Sequence, residues 1–248
     1  MKNLADKMKI FWYDTLDSTN SEASRRIEKF DNLSVIAAMC QTAGRGQRGN
    51  KWLTQSGENL TFSIILKFQE GDIPASRQMD ITALTTVVLR EFLRARGIHA
   101  VIKWPNDIYA GDRKLCGILI ENSLTGEWIS SSVIGIGLNV NQTAFDPSIV
   151  NPTSIRRLTG ESYNVRDLLE QFCEAFSSRL PELGSDSLWE EYATGLYRQG
   201  EEHEFTDCAT AETVRGTIKG VRRDGRLIFT LTGGESRYYS FKEINYII

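Results

Sequence analysis

A glycine-rich segment with basic side chains, AGRGQRGNKW at residues 43–52, is the first candidate for chemistry. Glycines let backbone N–H groups approach an anion closely, and arginines add forked, permanently charged donors. The segment contains the G-x-G-x-x-G spacing of a dinucleotide-binding fingerprint at Gly44, Gly46 and Gly49. That fingerprint must open a helix, whereas here turn residues and a further strand follow. The sequence therefore favours a phosphate-binding loop of another kind, with a solvated basic turn as the alternative.

A second group of polar side chains lies in KWPNDIYAGDRKLCGILIEN. If residues 111–112 form a two-residue hairpin turn, Tyr109 pairs with Lys114 and Asp107 pairs with Cys116. Asp107 and Lys114 then share one face of the hairpin, roughly 7–8 Å apart on the diagonal. A phosphate or a ribose fits between two such groups. The alternative is an exposed hairpin tip that happens to be charged.

The third group is the glycine-interrupted segment GIGLNVN. Gly135 and Gly137 end an apolar strand, and Asn139 and Asn141 follow. Glycine inside a strand marks a close approach by another backbone or by a ligand. A β-bulge with a polar exit is the alternative for this segment.

The whole chain sets limits on the function of these groups. Its 248 residues allow one main domain and a small second one, and its net charge of −3 does not favour a general nucleic-acid binder. The four cysteines are scattered and the two histidines are isolated, which argues against a zinc site and against histidine-assisted nucleophilic catalysis. Neither a signal peptide nor a membrane-spanning stretch is present in the sequence, so we expect a cytoplasmic protein without membrane contact.

Hydrophobic periodicity predicts the elements that position these residues. Strands are predicted in the segments KIFWYDTL, SVIAAMCQ, NLTFSIILKF, HAVIKW, LCGILIEN and WISSSVIGIGLNV, and helices in SEASRRIEKF, residues 74–96, VRDLLEQFCEAFSSRL and SLWEEYATGLYRQ. The tail changes character, because TVRGTIKGV, RLIFTLT and SRYYSFKEINYII are short strand patterns separated by the turn sequences RRDG and GGE. A domain boundary is expected near residues 199–204.

Five of these segments together resemble the biotin protein ligases. DSTN, QTAGRGQRGNKW, KWPNDIY, RKLCGILIE and GIGLNVN stand in the order and approximate spacing of that family, over nearly the whole chain. The resemblance implies an α+β fold, with a class II aminoacyl-tRNA synthetase-like catalytic domain of mixed β-sheet and flanking helices, and a small C-terminal SH3-like β-barrel. It implies a catalytic biotin- and ATP-binding domain at residues 1–200 and the SH3-like domain at residues 201–248.

The resemblance also implies the reaction and its residues. The family forms biotinyl-5′-AMP from biotin and ATP with Mg²⁺, and then transfers biotin to one lysine of a biotin carboxyl carrier domain. The implied catalytic residues are Lys114, Arg45, Arg48, Asp107 and Lys103. The implied biotin-binding residues are Ser18, Thr19, Asn20, Gln41, Gly44, Arg45, Gly46, Lys114, Gly117, Ile118 and Leu119. The implied ATP or adenylate contacts are Arg45, Gln47, Arg48, Trp52, Asn106, Asp107, Lys114 and Asn139. No fixed metal site is implied, since Mg²⁺ arrives with ATP and Asp107 is its one candidate ligand.

Two departures from the family pattern affect the predicted loop and the predicted partners. Gln47 and Asn50 stand where the family often has arginine, so the loop carries less charge to retain an adenylate. The chain also starts almost at the first catalytic strand, which predicts no winged-helix domain and no DNA partner, whereas a homodimer is compatible with the resemblance. We further expect the loop to be mobile without ligand, because Arg45, Arg48 and Lys51 repel one another.

Two other functions are weighed against the biotin ligase. A lipoate ligase shares the adenylation chemistry, but KWPND and the GRG loop favour biotin. A nucleic-acid-binding module with a small β-barrel is the candidate from a different class of protein. The acidic balance and the lack of an aromatic-rich basic pattern count against it.

Overall fold

The fold is described from a computed structural model, which covers residues 8–248 except for the side chain of Arg48. A seven-stranded mixed sheet dominates residues 9–138. Its strands in chain order are β1 (Lys9–Leu16), β2 (Ser34–Gln41), β3 (Leu60–Lys67), β4 (Ala100–Lys103), β5 (Asp107–Ala110), β6 (Arg113–Thr125) and β7 (Trp128–Leu138). They lie in the spatial order β1-β2-β3-β7-β6-β5-β4, with β1 parallel to β2 and every other pair antiparallel.

Five helices pack on this sheet: α1 (Thr19–Arg25), α2 (Met79–Arg94), α3 (Ile155–Thr159), α4 (Val165–Arg179) and α5 (Asp186–Ala193). The apolar stripes of α2, α4 and α5 form one large core with one face of the sheet, where Phe62 and Phe172 meet edge to face at 5.4 Å between ring centroids. The short helix α1 lies on the opposite face and packs Ala23 against Ile36 and Ile65. The sheet is therefore covered on both faces in its centre, and β3 is buried along all but its last residue.

A second, five-stranded antiparallel sheet follows. It contains β8 (Glu202–Asp207), β9 (Thr213–Val221), β10 (Leu227–Leu231), β11 (Ser236–Tyr239) and β12 (Ile244–Tyr246), in the order β11-β10-β9-β8-β12. Its buried side chains, such as Phe205 and Phe229, belong to the same apolar cluster as the main sheet. The small sheet thus packs on the larger one. The division into domains at residue 200 remains a prediction.

The predicted α+β class is confirmed, and most of the predicted elements are present. Helix α5 ends at Ala193, earlier than its sequence pattern predicts, and the helix predicted over residues 74–96 begins with a 3-10 turn at Ala75–Arg77 before α2. Helix α3 and strand β8 are not predicted from the sequence at all. Both are short, so tertiary packing decides them more than local periodicity. Across residues 8–248 no helix combines the length and apolarity needed to span a bilayer.

Candidate functional site

The site lies on the face of the sheet that carries α1, and strand alternation explains its composition. Successive side chains of a strand point to opposite faces. Ile134, Ile136 and Leu138 of β7 enter the large core, so Gly135 and Gly137 face the other side. Those glycines stand opposite Leu119 and Gly117 of β6. Gly117, Gly135 and Gly137 therefore form a patch of sheet without side chains, which Leu119 borders.

At two of these positions the neighbouring side chains leave no room for any residue larger than glycine. A Cβ atom at Gly137 would overlap the indole of Trp52, and one at Gly135 would overlap the amide of Asn20. The close approach predicted for GIGLNVN is therefore present, made by side chains from the loop and from α1. The pairing of β7 is regular here, so this segment is not a β-bulge.

Lys114 and Asp107 form an ion pair at one end of this patch. Lys114 Nζ lies 2.8 Å from Asp107 Oδ2, and the two side chains are only 29% and 20% exposed. Tyr109 pairs with Lys114 as predicted, but the prediction that Asp107 pairs with Cys116 is wrong, since Asp107 stands opposite Gly117.

A β-bulge in β6 accounts for this difference. The register shifts between Ile108 and Tyr109 of β5, and both Leu115 and Cys116 turn into the large core. The extra residue moves the alternation by one position. Lys114 and Gly117 consequently share the cavity face, although they are three residues apart.

Lys103 lies between two aromatic rings beside this pair. Its Nζ is 5.2 Å from the ring centroid of Tyr109 and 4.7 Å from that of Tyr246, which belongs to the small sheet. Burial lowers the pKa of Lys103, and the charge of Asp107 opposes that shift. The two rings stabilise the Lys103 ammonium and hold it near the Lys114–Asp107 ion pair.

The loop at residues 43–52 is a small hairpin. Trp52 N donates to Gly44 O at 2.9 Å, and Gly46 N donates to Asn50 O at 2.7 Å. Only a 3-10 turn at Gln47–Gly49 follows β2, and the next element is β3, so the rejection of a dinucleotide fingerprint is confirmed. The hairpin lays the Trp52 indole on the glycine patch, 5.8 Å from Lys114 Nζ to the ring centroid. Trp52 Nε1 is buried and finds no hydrogen-bond partner within the described part of the chain.

The other end of the cavity is lined with polar groups from the start of α1. Gln41 Oε1 accepts from Thr19 N at 2.7 Å, and Ser63 Oγ donates to Asn20 Oδ1 at 2.6 Å. Asn20 Nδ2 donates to Leu119 O at 3.2 Å. Ser18, Thr19 and Asn20 are all buried. The DSTN segment therefore forms a fixed set of hydrogen-bonding groups on the sheet.

Arg45 does not stand free in the loop. Its Nη2 lies 2.6 Å from Glu121 Oε1, and its Nη1 lies 3.2 Å from Glu121 Oε2. The sequence-based reason for loop mobility, three cations with nothing to neutralise them, is therefore wrong for Arg45. The mobility itself stays a prediction.

These groups surround one cavity of about 260 Å³. It is lined by the following residues that the sequence singled out as binding or catalytic: Ser18, Thr19, Asn20, Gln41, Arg45, Gly46, Gln47, Trp52, Lys103, Asn106, Asp107, Lys114, Gly117, Ile118 and Leu119. Gly44 lies beneath Trp52, where a Cβ would overlap the Trp52 carbonyl oxygen. Asn139 is buried away from the cavity and donates to Thr153 O at 2.9 Å. The Arg48 side chain lies outside the described atoms. The roles of all these residues stay predictions.

Sequence reasoning missed some of the lining residues. Phe241, Lys242 and Asn245 reach the cavity from the small sheet, and Trp104 comes from the turn between β4 and β5. A segment near the C-terminal end of the chain gives no local signal of this contact. The left-handed backbone at Lys242, with φ of 70°, is a tertiary feature of the same kind.

Comparison with known proteins identifies the family. Residues 12–139, more than half of the chain, match the biotin/lipoate A/B protein ligase family. The chain belongs to this family. The family match contains the glycine loop, the Lys114–Asp107 pair and the glycine patch of β7, and it ends at Asn139.

Individual relatives extend the similarity beyond the family match. The chain is 30% identical to the bifunctional ligase/repressor BirA of Bacillus subtilis over 246 residues, covering 93% of this chain and 72% of the relative. It is 28% identical to the biotin–[acetyl-CoA-carboxylase] ligase of Paracoccus denitrificans, covering 86% and 90% of the two chains.

Solved structures share the fold over nearly the full chain. The biotin protein ligase from Aquifex aeolicus in complex with biotin and ATP aligns with a TM-score of 0.77 at 24% identity, covering 96% of this chain and 97% of that one. The biotin acetyl coenzyme A carboxylase synthetase from Helicobacter pylori, solved with bound biotinylated ATP, aligns with a TM-score of 0.61 at 25% identity, covering 93% and 99%. The alignments include the C-terminal antiparallel sheet, so the whole architecture is that of a biotin protein ligase.

Proposed function

We propose that this protein is an ATP-dependent biotin protein ligase. It forms biotinyl-5′-AMP from biotin and ATP, and it transfers biotin to a lysine of a biotin carboxyl carrier domain. The observation that carries the proposal is the Lys114–Asp107 pair at the cavity, 2.8 Å from Nζ to Oδ2, in a member of the biotin/lipoate ligase family. A lysine beside a polar pocket and a cationic loop suits a reaction between a carboxylate and a phosphate.

The first step joins a carboxylate to the α-phosphorus of ATP. A carboxylate oxygen of biotin forms the new P–O bond, and the bond to pyrophosphate breaks. Charge accumulates on the phosphate oxygens during this displacement, so cations aimed at that point accelerate it. In this proposal Lys114 contacts both the carboxylate and the α-phosphate, and Arg45 and Lys103, which also line the cavity, add positive charge. Asp107 holds Lys114 in place until the substrates bind.

Magnesium fits this site only through the nucleotide. Asp107 offers one carboxylate at the cavity, and residues 8–248 contain no cluster of three acidic, histidine or cysteine side chains suited to a metal. Mg²⁺ commonly binds through one or two carboxylates together with substrate phosphates. When bound with ATP it neutralises phosphate charge, and Asp107 is the residue that would hold it.

The second step consumes the mixed anhydride. The neutral amine of the acceptor lysine attacks the biotinyl carbonyl carbon, and AMP leaves with the bonding electrons. The nitrogen releases one proton to solvent as the amide bond forms. Water would hydrolyse the same anhydride, so a covered cavity is useful. Trp52 and the loop hairpin lie over the glycine patch and can exclude water. The four cysteines are free thiols, which supports a cytoplasmic location for this reaction.

Isotope exchange between pyrophosphate and ATP tests the adenylation step directly. We expect exchange that depends on biotin and Mg²⁺. Lipoate in place of biotin distinguishes the other branch of the family, and omission of any acid gives the background rate. Exchange with lipoate but not with biotin would replace the proposed substrate, and no exchange with either would refute adenylation of these acids.

Transfer is tested with a purified carrier domain. Biotin incorporation, detected with avidin, should require ATP and should disappear when the acceptor lysine of the carrier is replaced by arginine. A known ligase acting on the same carrier is the positive control.

Light scattering with and without biotin and ATP tests the homodimer that the family resemblance allows.

A further inference from the structure

Glu121 joins two parts of the site that are distant in sequence. It lies on the cavity face of β6, two residues after Leu119 and opposite Val133 of β7. Its carboxylate accepts three hydrogen bonds. Oε2 accepts from Asn20 Nδ2 at 2.8 Å and from Arg45 Nη1 at 3.2 Å, and Oε1 accepts from Arg45 Nη2 at 2.6 Å.

Asn20 is fixed on its other side by the sheet. Its Oδ1 accepts from Ser63 Oγ at 2.6 Å, and its amide fills the space that the absent side chain of Gly135 leaves. Asn20 is 3% exposed, so an unpaired donor there would be costly. A continuous chain of hydrogen bonds therefore runs from Ser63 through Asn20 and Glu121 to Arg45.

Arg45, in contrast, depends on Glu121 for its orientation. Its side chain is 45% exposed, and its other hydrogen-bond contact is the Ser21 hydroxyl at 3.5 Å. A long exposed side chain loses rotamer freedom when it binds a phosphate, and a partner that fixes it beforehand reduces that loss. Two parallel N–H···O bonds to one carboxylate provide such a partner.

We propose that Glu121 is a positioning residue, which orients Asn20 at the acid-binding end of the cavity and Arg45 in the phosphate loop with one carboxylate. The inference rests on the proposed function, because Asn20 and Arg45 act in adenylation only if the protein is a ligase. Glu121 itself need not touch either substrate. Its effect on the reaction is exerted through the two side chains that it holds.

Replacing Glu121 by glutamine separates the two tasks. A side-chain amide oxygen in place of Oε2 can accept from Asn20 and from Arg45 Nη1, but the amide nitrogen then faces Arg45 Nη2. Two donors cannot bond each other, so the shorter of the two Arg45 bonds is lost. The opposite orientation keeps the bond from Arg45 Nη2 and loses the bonds from Asn20 Nδ2 and Arg45 Nη1. We expect the first orientation, since the buried Asn20 Nδ2 would otherwise keep only Leu119 O as its acceptor, which costs more than weakening an exposed ion pair.

The experiment compares Glu121→Gln and Glu121→Ala in the full chain, with two readouts. Calorimetry gives the Kd for biotin without ATP, and biotin-dependent pyrophosphate exchange gives kcat and the KM for ATP. Glu121→Ala should weaken biotin binding by about tenfold and lower kcat by about tenfold. Glu121→Gln should restore biotin affinity to about twofold of the wild-type value, while kcat stays as low as in the alanine variant.

Glu235→Gln and Glu235→Ala are matched controls, because Glu235 pairs with Arg237 at 2.9 Å on the small sheet. Both control variants should match the wild type. The proposal is supported if the glutamine variant restores one of the two readouts and not the other. It is overturned if glutamine restores both or neither, or if alanine changes neither. The glutamine variant also decides the question if the alanine variant does not fold.

Failure of the proposed function would look different. In that case the wild-type protein itself would show no biotin-dependent exchange. A wild-type protein that exchanges normally, with both Glu121 variants unchanged, would refute the positioning role alone.

Discussion

Lys114 is the residue whose chemistry depends most directly on its local structure. The bulge in β6 turns Leu115 and Cys116 into the core and leaves Lys114 on the cavity face with Gly117. Regular alternation over three positions would place Lys114 and Gly117 on opposite faces, and the bulge brings them to the same face. The ion pair with Asp107 then holds the ammonium at the cavity.

Replacement of Lys114 by alanine should abolish most adenylation and leave the fold intact. A positioned charge in a transition state is typically worth several kcal/mol, so we expect the exchange rate to fall by about 100-fold or more. Circular dichroism and thermal unfolding check the fold. Lys219→Ala, on an exposed position of β9, is the control. A near-normal exchange rate in Lys114→Ala would show that this lysine is not catalytic.

Lys103 gives a prediction about pH. Burial lowers its pKa below the ordinary lysine value of 10.5, so the ammonium persists below the lowered pKa and is lost as the pH rises through it. If this charge binds phosphate, the KM for ATP should rise on the alkaline side before an ordinary lysine would titrate. Lys103→Arg should remove that rise, because arginine keeps its charge. The same alkaline rise in both proteins would assign the pH effect to another group.

At the level of secondary structure, β7 shapes the site because Gly135 and Gly137 leave its cavity face without side chains. Gly137 lies beneath the Trp52 indole, and a methyl group there would displace the ring. Displacing a packed ring costs about 1–3 kcal/mol. Gly137→Ala should therefore weaken ATP binding by roughly tenfold, measured as the KM in pyrophosphate exchange. Gly233→Ala is the control, since open space surrounds that glycine. An unchanged KM would show that the Trp52 position does not matter for the nucleotide.

The loop at residues 43–52 is the element that ligand should change most. Its backbone forms few hydrogen bonds beyond its own hairpin, and Arg45, Arg48 and Lys51 are sites of trypsin cleavage. Cleavage near residue 48 should be fast in the free protein and slow with biotinyl-adenylate. ATP alone should protect less, because a ligand shifts a loop only by its differential affinity for the closed form. Equal cleavage rates would show that the loop is preformed.

At the scale of the whole molecule, the small sheet closes one side of the site. Its β9–β10 turn carries Arg223, which bonds Asp80 Oδ1 at 3.3 Å and also bonds Asp186. In the same turn, Gly225 O accepts from Trp104 Nε1 at 3.1 Å. Trp104 directly follows Lys103 and lies in the turn that leads to Asp107. The docking of the small sheet therefore bears on the position of the Lys114–Asp107 pair.

Arg223→Ala should weaken this docking. Asp80 is buried, so removing one of its two arginine partners should lower the free energy of unfolding by about 1–3 kcal/mol. Arg215→Ala removes an exposed pair with Glu202 on the same sheet and should cost less than about 1 kcal/mol. Urea unfolding measures both. Equal losses would mean that Arg223 does not fasten the small sheet to α2 and α5.

Most of the strands, the longer helices and the three groups of polar or glycine-rich residues could be predicted from the sequence alone. Strand alternation, turn chemistry and helical spacing act over a few residues, so they can be recognised without the fold. The pairing of Tyr109 with Lys114 followed from the hairpin turn alone. The resemblance of five ordered motifs then predicted the family, which the comparison with known proteins established.

Only the tertiary structure decided which distant side chains meet. Glu121 pairs with Arg45 across 76 residues. Phe241, Lys242 and Asn245 reach a cavity that is otherwise lined by residues 18–137. The β6 bulge also depends on tertiary packing, because it turns two successive side chains, Leu115 and Cys116, into the core. Such contacts depend on the packing of whole sheets, which leaves no periodic trace in the local sequence.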